Sequence, residues 1–252
     1  KEQAAAQKRE PCPTSGLIIS GYNGGSDWTS GLSANPAVGE AIDMHLAIGG
    51  KAVQICGRGG YPTNAGSYEI GMRLMEIGDF FNEDCTRRGG KGLSQVNPTP
   101  GNKAGGLSTL DEKSLGCIRK GGTRPIVEVL EQAVPPTKRG AVVMDTAGYD
   151  ISSVTSMVAA GCNAVIFTTG RGTCTGNAIV PVLKVTANAR TYQHMEDNMD
   201  VDLSPIVRGE KTYQEMGAEM LNNIQDICNG KMTKAEAFGF SDIAVDHVCR
   251  FV

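Results

Sequence analysis

Amide and cationic side chains cluster in a proline- and glycine-rich stretch near the middle of the chain, NPTPGNKAGG at 97–106, and in the helix-like run that follows. Proline fixes φ, glycine lets a ligand approach the backbone closely, and free N–H groups at a helix start can hold an anion. The candidate site residues here are Asn97, Asn102, Lys103, Glu112 and Lys113. A long surface connection between two layers is the alternative, and composition alone does not decide between them.

A second candidate is Arg171, which stands between two glycines in TTGRGT at 168–173. It follows Ala164–Thr168, a β-branched, apolar run without alternation, which predicts a central parallel strand covered on both faces. An arginine at the carboxyl end of such a strand can present a planar fork to a carboxylate, with Thr169 and Thr173 as neighbouring contacts. The alternative is an arginine in a flexible surface turn.

The first third of the chain supplies an adjacent turn. A short buried strand at 17–20 leads into a glycine turn at 21–27, and a helix is predicted from Pro36 to Ile48. In an α/β unit this turn lies at the carboxyl end of the sheet. The residues expected to line it are Ser26, Asp27 and Asn35. The turn is neither GxGxxG nor a P-loop, so nucleotide binding is not favoured.

The remaining pattern predicts an α/β domain with a mostly parallel sheet. Further strands are expected at 52–56, 125–130, 141–145 and 181–185, and helices at 66–82, 108–120, 150–160, 189–199 and 211–228. Residues 84–107 are expected to form a long polar loop, and loops of that length are usually functional or disordered. Residues 1–13 are expected to be a helix end or linker from a missing N-terminal half, with 14–252 as the catalytic domain.

Composition excludes several classes of function. The net charge of −3 gives no electrostatic case for nucleic-acid binding. None of the eight cysteines forms a CxxC pair. Those in apolar runs are expected to be buried free thiols, which favours a reducing, cytoplasmic location; they are Cys56, Cys117, Cys162 and Cys228. No apolar run approaches 18 residues, so no membrane span is expected.

A metal site is weakly indicated. Asp197, Asp200 and Asp202 could ligate a divalent cation, although an exposed helix end is the commoner explanation. The three histidines are scattered and lack a ligand-like spacing.

Taken together, these motifs resemble the C-terminal domain of the altronate/galactarate dehydratase family, which also includes the large subunit of sulfolactate sulfo-lyase. The matching stretches are GGSD (24–27), SANPAVG (33–39), NPTPGNKAGG (97–106), EKSLG (112–116), MDTAGYD (144–150), FTTGRGT (167–173) and MDVD (199–202). They span nearly all of 14–252. The resemblance implies a Rossmann-like three-layer domain with long Gly/Pro-rich site loops.

The resemblance also implies a lyase that removes water, or sulfite, from a small hydroxy acid. It implies an iron-dependent site and a second catalytic half, as a domain or a separate subunit. Because the three histidines lack a ligand-like spacing, the ligands of Fe2+, or of another divalent cation, are expected mainly on that half. The apolar surface that its absence leaves exposed predicts an oligomer or a hetero-complex. The chain departs from the family at Asn23, where the family usually has Cys, and at 56–59, where a Ser-Glu-Thr type segment is usual. Its Asp200–Ser204 ending is closer to the sulfo-lyase branch, whereas TTGRGT is closer to the sugar-acid branch.

Elimination from a hydroxy acid requires a base, an enediolate stabiliser and activation of the leaving hydroxyl. Arg171 is expected to clamp a substrate carboxylate, Lys103 to be a second anion contact or the base, and Asn97 and Asn102 to orient hydroxyls. Glu112 and Lys113 fit either a site or a surface pair. The alternative from another functional class is a substrate-binding module that has no catalytic activity without a partner half.

Overall fold

We analysed a computed structural model, which describes residues 6–8, 10–55, 64–87, 89–90, 93–146 and 148–245. Within these residues seven strands form one sheet in which every pairing is parallel. The strands are β1 (Ile18–Gly24), β2 (Lys51–Ile55), β3 (Ile126–Leu130), β4 (Ala141–Met144), β5 (Ala164–Thr169), β6 (Val182–Thr186) and β7 (Val201–Asp202). The α/β class and the parallel sheet predicted from the sequence are confirmed.

The strand order is β3-β4-β2-β1-β5-β6-β7. From β1 the chain runs to β2 on one side, continues to the edge strand β3 and comes back to β4, which lies between β3 and β2. It then crosses to β5 on the other side of β1 and moves outward through β6 to β7. The β1–β5 boundary is therefore a topological switch point, and ligands of open α/β sheets bind in the crevice beyond the carboxyl ends of the strands at such a point. The register aligns Gly24 with Thr169, so GGSD and TTGRGT begin side by side.

Helices cover both faces of this sheet. They are α1 (Asn35–Ala47), α2 (Tyr68–Arg87), α3 (Leu93–Val96), α4 (Pro100–Ala104), α5 (Leu110–Arg119), α6 (Asp150–Ala159), α7 (Ala189–His194), α8 (Ser204–Val207), α9 (Tyr213–Cys228) and α10 (Lys234–Ala237). A short 3-10 turn at Thr14–Gly16 precedes β1, and a π turn at Ser30–Ala34 precedes α1.

Alternate residues of β5 belong to different hydrophobic clusters. Ala164 and Ile166 pack with α1 and α9, whereas Val165 and Phe167 pack with α6. This division is the reason that the strand is apolar throughout, and it confirms the prediction of a central strand covered on both faces.

Several boundaries differ from the prediction. β1 continues to Gly24 because every residue of β5 pairs with it, as far as Thr169 with Gly24. The polar tetrapeptide GYNG is therefore strand rather than turn. The expected loop at 84–107 contains the end of α2 and the short helices α3 and α4. The helix expected at 189–199 ends at His194, before β7 and α8, which were not predicted.

Two other expectations fall partly or wholly outside the described residues. The loop at 57–60 is not described, and of the expected N-terminal helix end, residues 6–8 and 10 are described and are not helical.

Cys228, which was expected to be buried, is exposed, while Cys162 is buried and Cys117 is intermediate. No described helix is both long enough and apolar enough to cross a bilayer.

Candidate functional site at the carboxyl ends of β1 and β5

The loop after β1 is tied to the loop after β5. Gly25 has φ of 61°, a left-handed conformation that glycine adopts without strain. Its carbonyl oxygen accepts hydrogen bonds from the backbone N–H groups of Gly170 (3.2 Å) and Arg171 (3.1 Å). The Arg171 side chain therefore starts directly beside the GGSD turn.

Asp27 is 2% exposed, and its carboxylate is saturated by protein donors. Oδ1 accepts from Thr29 Oγ1 (2.6 Å) and from the Ser30 backbone N–H (3.1 Å). Oδ2 accepts from Asn188 Nδ2 at 2.8 Å. Asp27 thus joins the turn after β1 to the start of α7.

Ser26 and Asn35 belong to a buried hydrogen-bond network between β1 and β5. Asn35 Oδ1 accepts from Thr168 Oγ1 at 2.7 Å, and Thr168 Oγ1 accepts in turn from Asn23 Nδ2 at 2.7 Å. Ser26 Oγ donates to Asn23 Oδ1. Asn23, where the resembled family usually has Cys, is therefore the connecting residue of this network.

The proline- and glycine-rich stretch packs directly on the GGSD turn. Thr99 and Asn102 form a capping box at the start of α4, and Asn102 is buried. Asn102 Nδ2 donates to the Ser26 carbonyl oxygen at 2.8 Å, while Asn102 Oδ1 accepts from Thr99 Oγ1 at 2.9 Å. A single side chain thus fixes α4 to the carboxyl end of β1.

Arg171 reaches this same short helix. Its guanidinium lies against the Cα of Gly101, so that a Cβ added there would overlap Nη1 and Cζ. The Arg171 side chain remains exposed, as does Lys103 two residues along α4. The structure therefore brings together the two stretches that the sequence singled out, with the exposed Arg171 guanidinium at their junction.

Lys113 is held more firmly than Lys103. Its Nζ donates to Asn97 Oδ1 at 2.7 Å and to Asn102 Oδ1 at 2.9 Å. Burial lowers the pKa of the Lys113 amine, while Cys117 and Asp150 act in the opposite direction. The amine is fixed in the loop that the sequence identified, by the two asparagines expected to bind substrate.

Tyr22 and Asp150 were not predicted as site residues, although Asp150 ends the MDTAGYD motif. Tyr22 Oη donates to Asp150 Oδ1 at 2.9 Å, and the tyrosine is 4% exposed. The Asp150 carboxylate lies so close to Gly24 that a Cβ there would overlap it. Burial raises the pKa of Asp150, against the opposing effects of the Tyr22 hydrogen bond and the Lys113 charge. In the sequence, Asp150 is only an acidic residue at the predicted start of a helix. Many helices begin with such a residue, so its position alone did not indicate a site.

The other predicted residues make local contacts. Glu112 accepts from the Ser108 backbone N–H (2.8 Å) and Oγ (2.7 Å), which lowers the pKa of its carboxyl. Thr169 Oγ1 accepts from the Gly172 N–H at 3.0 Å, and Thr173 Oγ1 lies 2.8 Å from Thr175 Oγ1. These three side chains shape the turns around the junction of the two loops.

An open groove of about 890 Å³ lies on the other side of α5. Its lining includes Trp28, Leu32, Leu115, Glu112 and Tyr213. Glu112 therefore faces the groove, while Lys113 faces the asparagines, so the two do not act as a pair. Consecutive helical residues are about 100° apart, and this separation is the physical reason.

The described residues do not fit an iron site. They contain no group of three or more His, Cys, Asp or Glu side chains placed to hold a metal ion. The Asp200 carboxylate accepts from the backbone N–H groups of Lys184 (2.7 Å) and Lys234 (2.8 Å), so it joins β6 to α10. His45 is buried, and its Nε2 lies 3.1 Å from the Leu17 carbonyl oxygen.

Comparison with known proteins identifies the family. The sequence model of one protein family, D-galactarate/altronate dehydratase, C-terminal, matches residues 14–250. The chain belongs to this family. The matched range contains both loops and every residue of the junction described above.

Members of the family with curated names differ in their reactions. The chain is 37% identical over 251 residues to (2R)-sulfolactate sulfo-lyase subunit beta of Chromohalobacter salexigens, covering 97% of this chain and 64% of that protein. It is 38% identical to galactarate dehydratase (L-threo-forming) of Escherichia coli, covering 89% of this chain and 44% of that protein. It is 32% identical to altronate dehydratase of Bacillus subtilis, covering 97% and 50%. The chain thus spans about half to two thirds of the length of these relatives.

Proposed function

We propose that this chain is the C-terminal part of a lyase that eliminates water from a hydroxy acid of the sugar-acid type. The observation that carries the proposal is the junction at the β1–β5 switch point. There an exposed arginine, a positioned lysine and two asparagines converge in a chain of the dehydratase family. The relatives named as galactarate and altronate dehydratases support this class of substrate.

Each group at the junction has a role in such a reaction. Arg171, in the loop after β5, offers a guanidinium fork to a substrate carboxylate, and Lys103, exposed on α4, is a second anion contact. Asn97 and Asn102 hold the Lys113 amine through their amide oxygens. Asn97, which is less buried than Asn102, is also proposed to orient a substrate hydroxyl. Stabilising the charge that develops on the carboxylate during proton removal is commonly the largest contribution of such groups to catalysis.

The whole enzyme is proposed to contain a further half, as a domain or as a separate subunit. Support comes from the share of each relative that the chain covers and from the name of one relative as a subunit beta. We propose that iron, if required, is ligated mainly by that other half. The steps assigned to this chain use no metal. A cytoplasmic location and an oligomeric assembly stay predictions.

A sulfo-lyase is the second candidate. It is favoured by the relative named sulfolactate sulfo-lyase subunit beta, whose length this chain covers to 64%. A sulfonate is an anion that Arg171 and Lys103 can bind as they would a carboxylate. These two cations are therefore compatible with either substrate and do not decide between the two reactions.

The test is an assay of the chain with its complementary half, on galactarate, altronate and (2R)-sulfolactate. A 2-keto-3-deoxy product supports the dehydratase, and sulfite release supports the sulfo-lyase instead. If no combination turns over any substrate but calorimetry shows that the chain binds one of them, it is a binding module. The matched control is the Arg171→Ala variant in the same complex.

A further inference from the structure

One face of α5 lies opposite the end of β1 and the start of α6. Lys113 and Cys117 are four residues apart and share this face. Facing them are Tyr22 and Asp150: Asp150 acts on the pKa of Lys113, and Cys117 on that of Tyr22. The Lys120 amine lies behind, 3.2 Å from Cys117 Sγ. A tyrosine, a carboxylate and an amine thus meet beside the proposed substrate site.

Contacts with two residues of one turn, Gly24 and Ser26, fix the positions of Asp150 and Lys113. The Asp150 carboxylate lies on Gly24, and Asn102 is bonded to the Ser26 carbonyl at 2.8 Å. Asn102 also holds Lys113 Nζ at 2.9 Å. Because Gly24 and Ser26 are separated by one residue, about 7 Å at most between their Cα atoms, the carboxylate and the amine flank the same short backbone segment.

We propose that Asp150 and Lys113 are the proton-transfer pair of this site, with Tyr22 as the residue that positions the Asp150 carboxylate. This inference rests on the proposed elimination reaction and names the residues that carry its protons.

The hydrogen-bond geometry leaves one functional atom on each partner. An ammonium has three N–H donors. Asn97 and Asn102 accept two of them from Lys113, so one remains for the leaving oxygen of the substrate. On Asp150, Oδ1 accepts from Tyr22, and no described residue donates to Oδ2, which is the oxygen proposed to accept a proton.

The proton balance of the elimination closes within the pair. Asp150 Oδ2 takes the proton from the carbon next to the substrate carboxylate, and the C–H electron pair becomes the new C=C bond. The C–O bond on the neighbouring carbon breaks, and the leaving oxygen takes a proton from the Lys113 ammonium to depart as water. The proton on Asp150 then passes through the released water to the Lys113 amine, which restores both groups.

Burial supports this assignment because it acts oppositely on the two groups. It raises the pKa of Asp150 and lowers the pKa of Lys113, which brings a base and an acid closer to neutrality from either side. Tyr22 stays protonated as a donor, since burial and the neighbouring Asp150 hold its pKa well above the usual range.

The kinetic test uses the complete enzyme in deuterated water. Asp150→Asn should lower kcat by about 10² to 10⁴ and abolish exchange of the substrate α-proton, with substrate still bound in calorimetry. Lys113→Gln should lose elimination but keep the exchange. Tyr22→Phe should move the acidic limb of the kcat profile to higher pH, because the carboxylate loses a donor that favours its charged form. Asp111→Asn, an exposed acid on α5, is the control.

A second measurement does not depend on turnover and separates this proposal from the proposed reaction. Lysines of the chain are reductively methylated with 13C and titrated by NMR, with Lys113→Arg identifying the Lys113 signal. Asp150→Asn should lower the pKa of Lys113 further, whereas Asp111→Asn should not. An unchanged Lys113 titration, or an Asp150→Asn enzyme with near-wild-type kcat, overturns the pair. A wild-type enzyme inactive on all three substrates with the titration shift present overturns the reaction instead.

Discussion

Asn188 Nδ2 donates a hydrogen bond of 2.8 Å to Asp27 Oδ2, which joins the first turn of the switch point to the helix that follows β6. Asp27 is buried, so the loss of this donor leaves a carboxylate oxygen without its partner. We expect Asn188→Ala to lower the free energy of unfolding by about 2 kcal/mol.

Urea unfolding followed by circular dichroism measures this change. Arg190→Ala, which alters an exposed side chain two residues along the same helix, is the control and should change stability by less than about 0.5 kcal/mol. A variant at 188 as stable as this control would show that the Asp27 bond has no net value.

Gly101 gives room to the Arg171 guanidinium, since a Cβ at this position would occupy the place of Nη1. Gly101→Ala should therefore displace the guanidinium and raise KM for an anionic substrate without loss of stability, because Ala favours a helix more than Gly does. The matched control is Gly71→Ala in α2, because the added Cβ would lie 3.7 Å from Ala65 Cβ, an ordinary van der Waals contact. Equal KM values for both variants and wild type would separate Arg171 from substrate binding.

Arg171→Ala removes the fork itself. Because the side chain is exposed, the fold should be retained, with a free energy of unfolding within about 0.5 kcal/mol of wild type. Activity of the complete enzyme should be abolished. Arg190→Ala again serves as an exposed arginine control, and near-wild-type turnover by Arg171→Ala contradicts the assignment.

Lys113 predicts a pH dependence of stability. Its pKa in the folded chain is lowered by burial, so between that value and the unfolded pKa the unfolded chain binds more protons. Stability from this group is therefore present at alkaline pH and is lost as pH falls through the folded pKa. The free energy of unfolding of wild type relative to Lys113→Met should rise with pH over the alkaline range below the unfolded pKa of about 10.4, as measured by urea titrations. A constant difference over this range would contradict the burial effect.

The cysteines predict a graded reactivity. Burial raises the pKa of the Cys162 thiol to about 12, so that almost no thiolate forms at neutral pH. Cys12, Cys174 and Cys228 are exposed. Iodoacetamide at pH 8 followed by peptide mass spectrometry should label these three while Cys162 is protected until the chain is denatured. Early labelling of Cys162 in native protein would contradict its burial.

The sequence was sufficient for the α/β class, for a mostly parallel sheet and for placing both turns at the carboxyl edge of that sheet. Strand β5 is apolar on both faces, and the rule that ligands bind beyond parallel strands places TTGRGT and GGSD at one edge. The order of strands decided which loops meet, and strand order depends on pairings between residues far apart in sequence. The MDTAGYD motif, although noticed, gave no reason to place Asp150 opposite Tyr22.

The sequence also could not show which lysine, Lys103 or Lys113, is held by the two asparagines of the site. Both lie in or near the proline–glycine stretch, and Lys103 is the only cation inside it. In the structure, the helical phase of α5 directs Lys113 toward Asn97 and Asn102, while Lys103 lies exposed on α4. A helix phase depends on where the helix begins, and a boundary uncertain by two residues rotates a side chain by about half a turn.

The pairing of β1 with β5 also has a consequence for how the chain acquires its shape. Asn23 bonds to Thr168 across 145 positions of sequence, so the first turn of the site is synthesised long before the strand that completes it. Closing such long loops slows folding, and β1 must keep one edge open until β5 is made. On a ribosome, the nascent chain would expose that edge for about 7 to 30 seconds at ordinary elongation rates, which makes this strand the segment on which a chaperone would act.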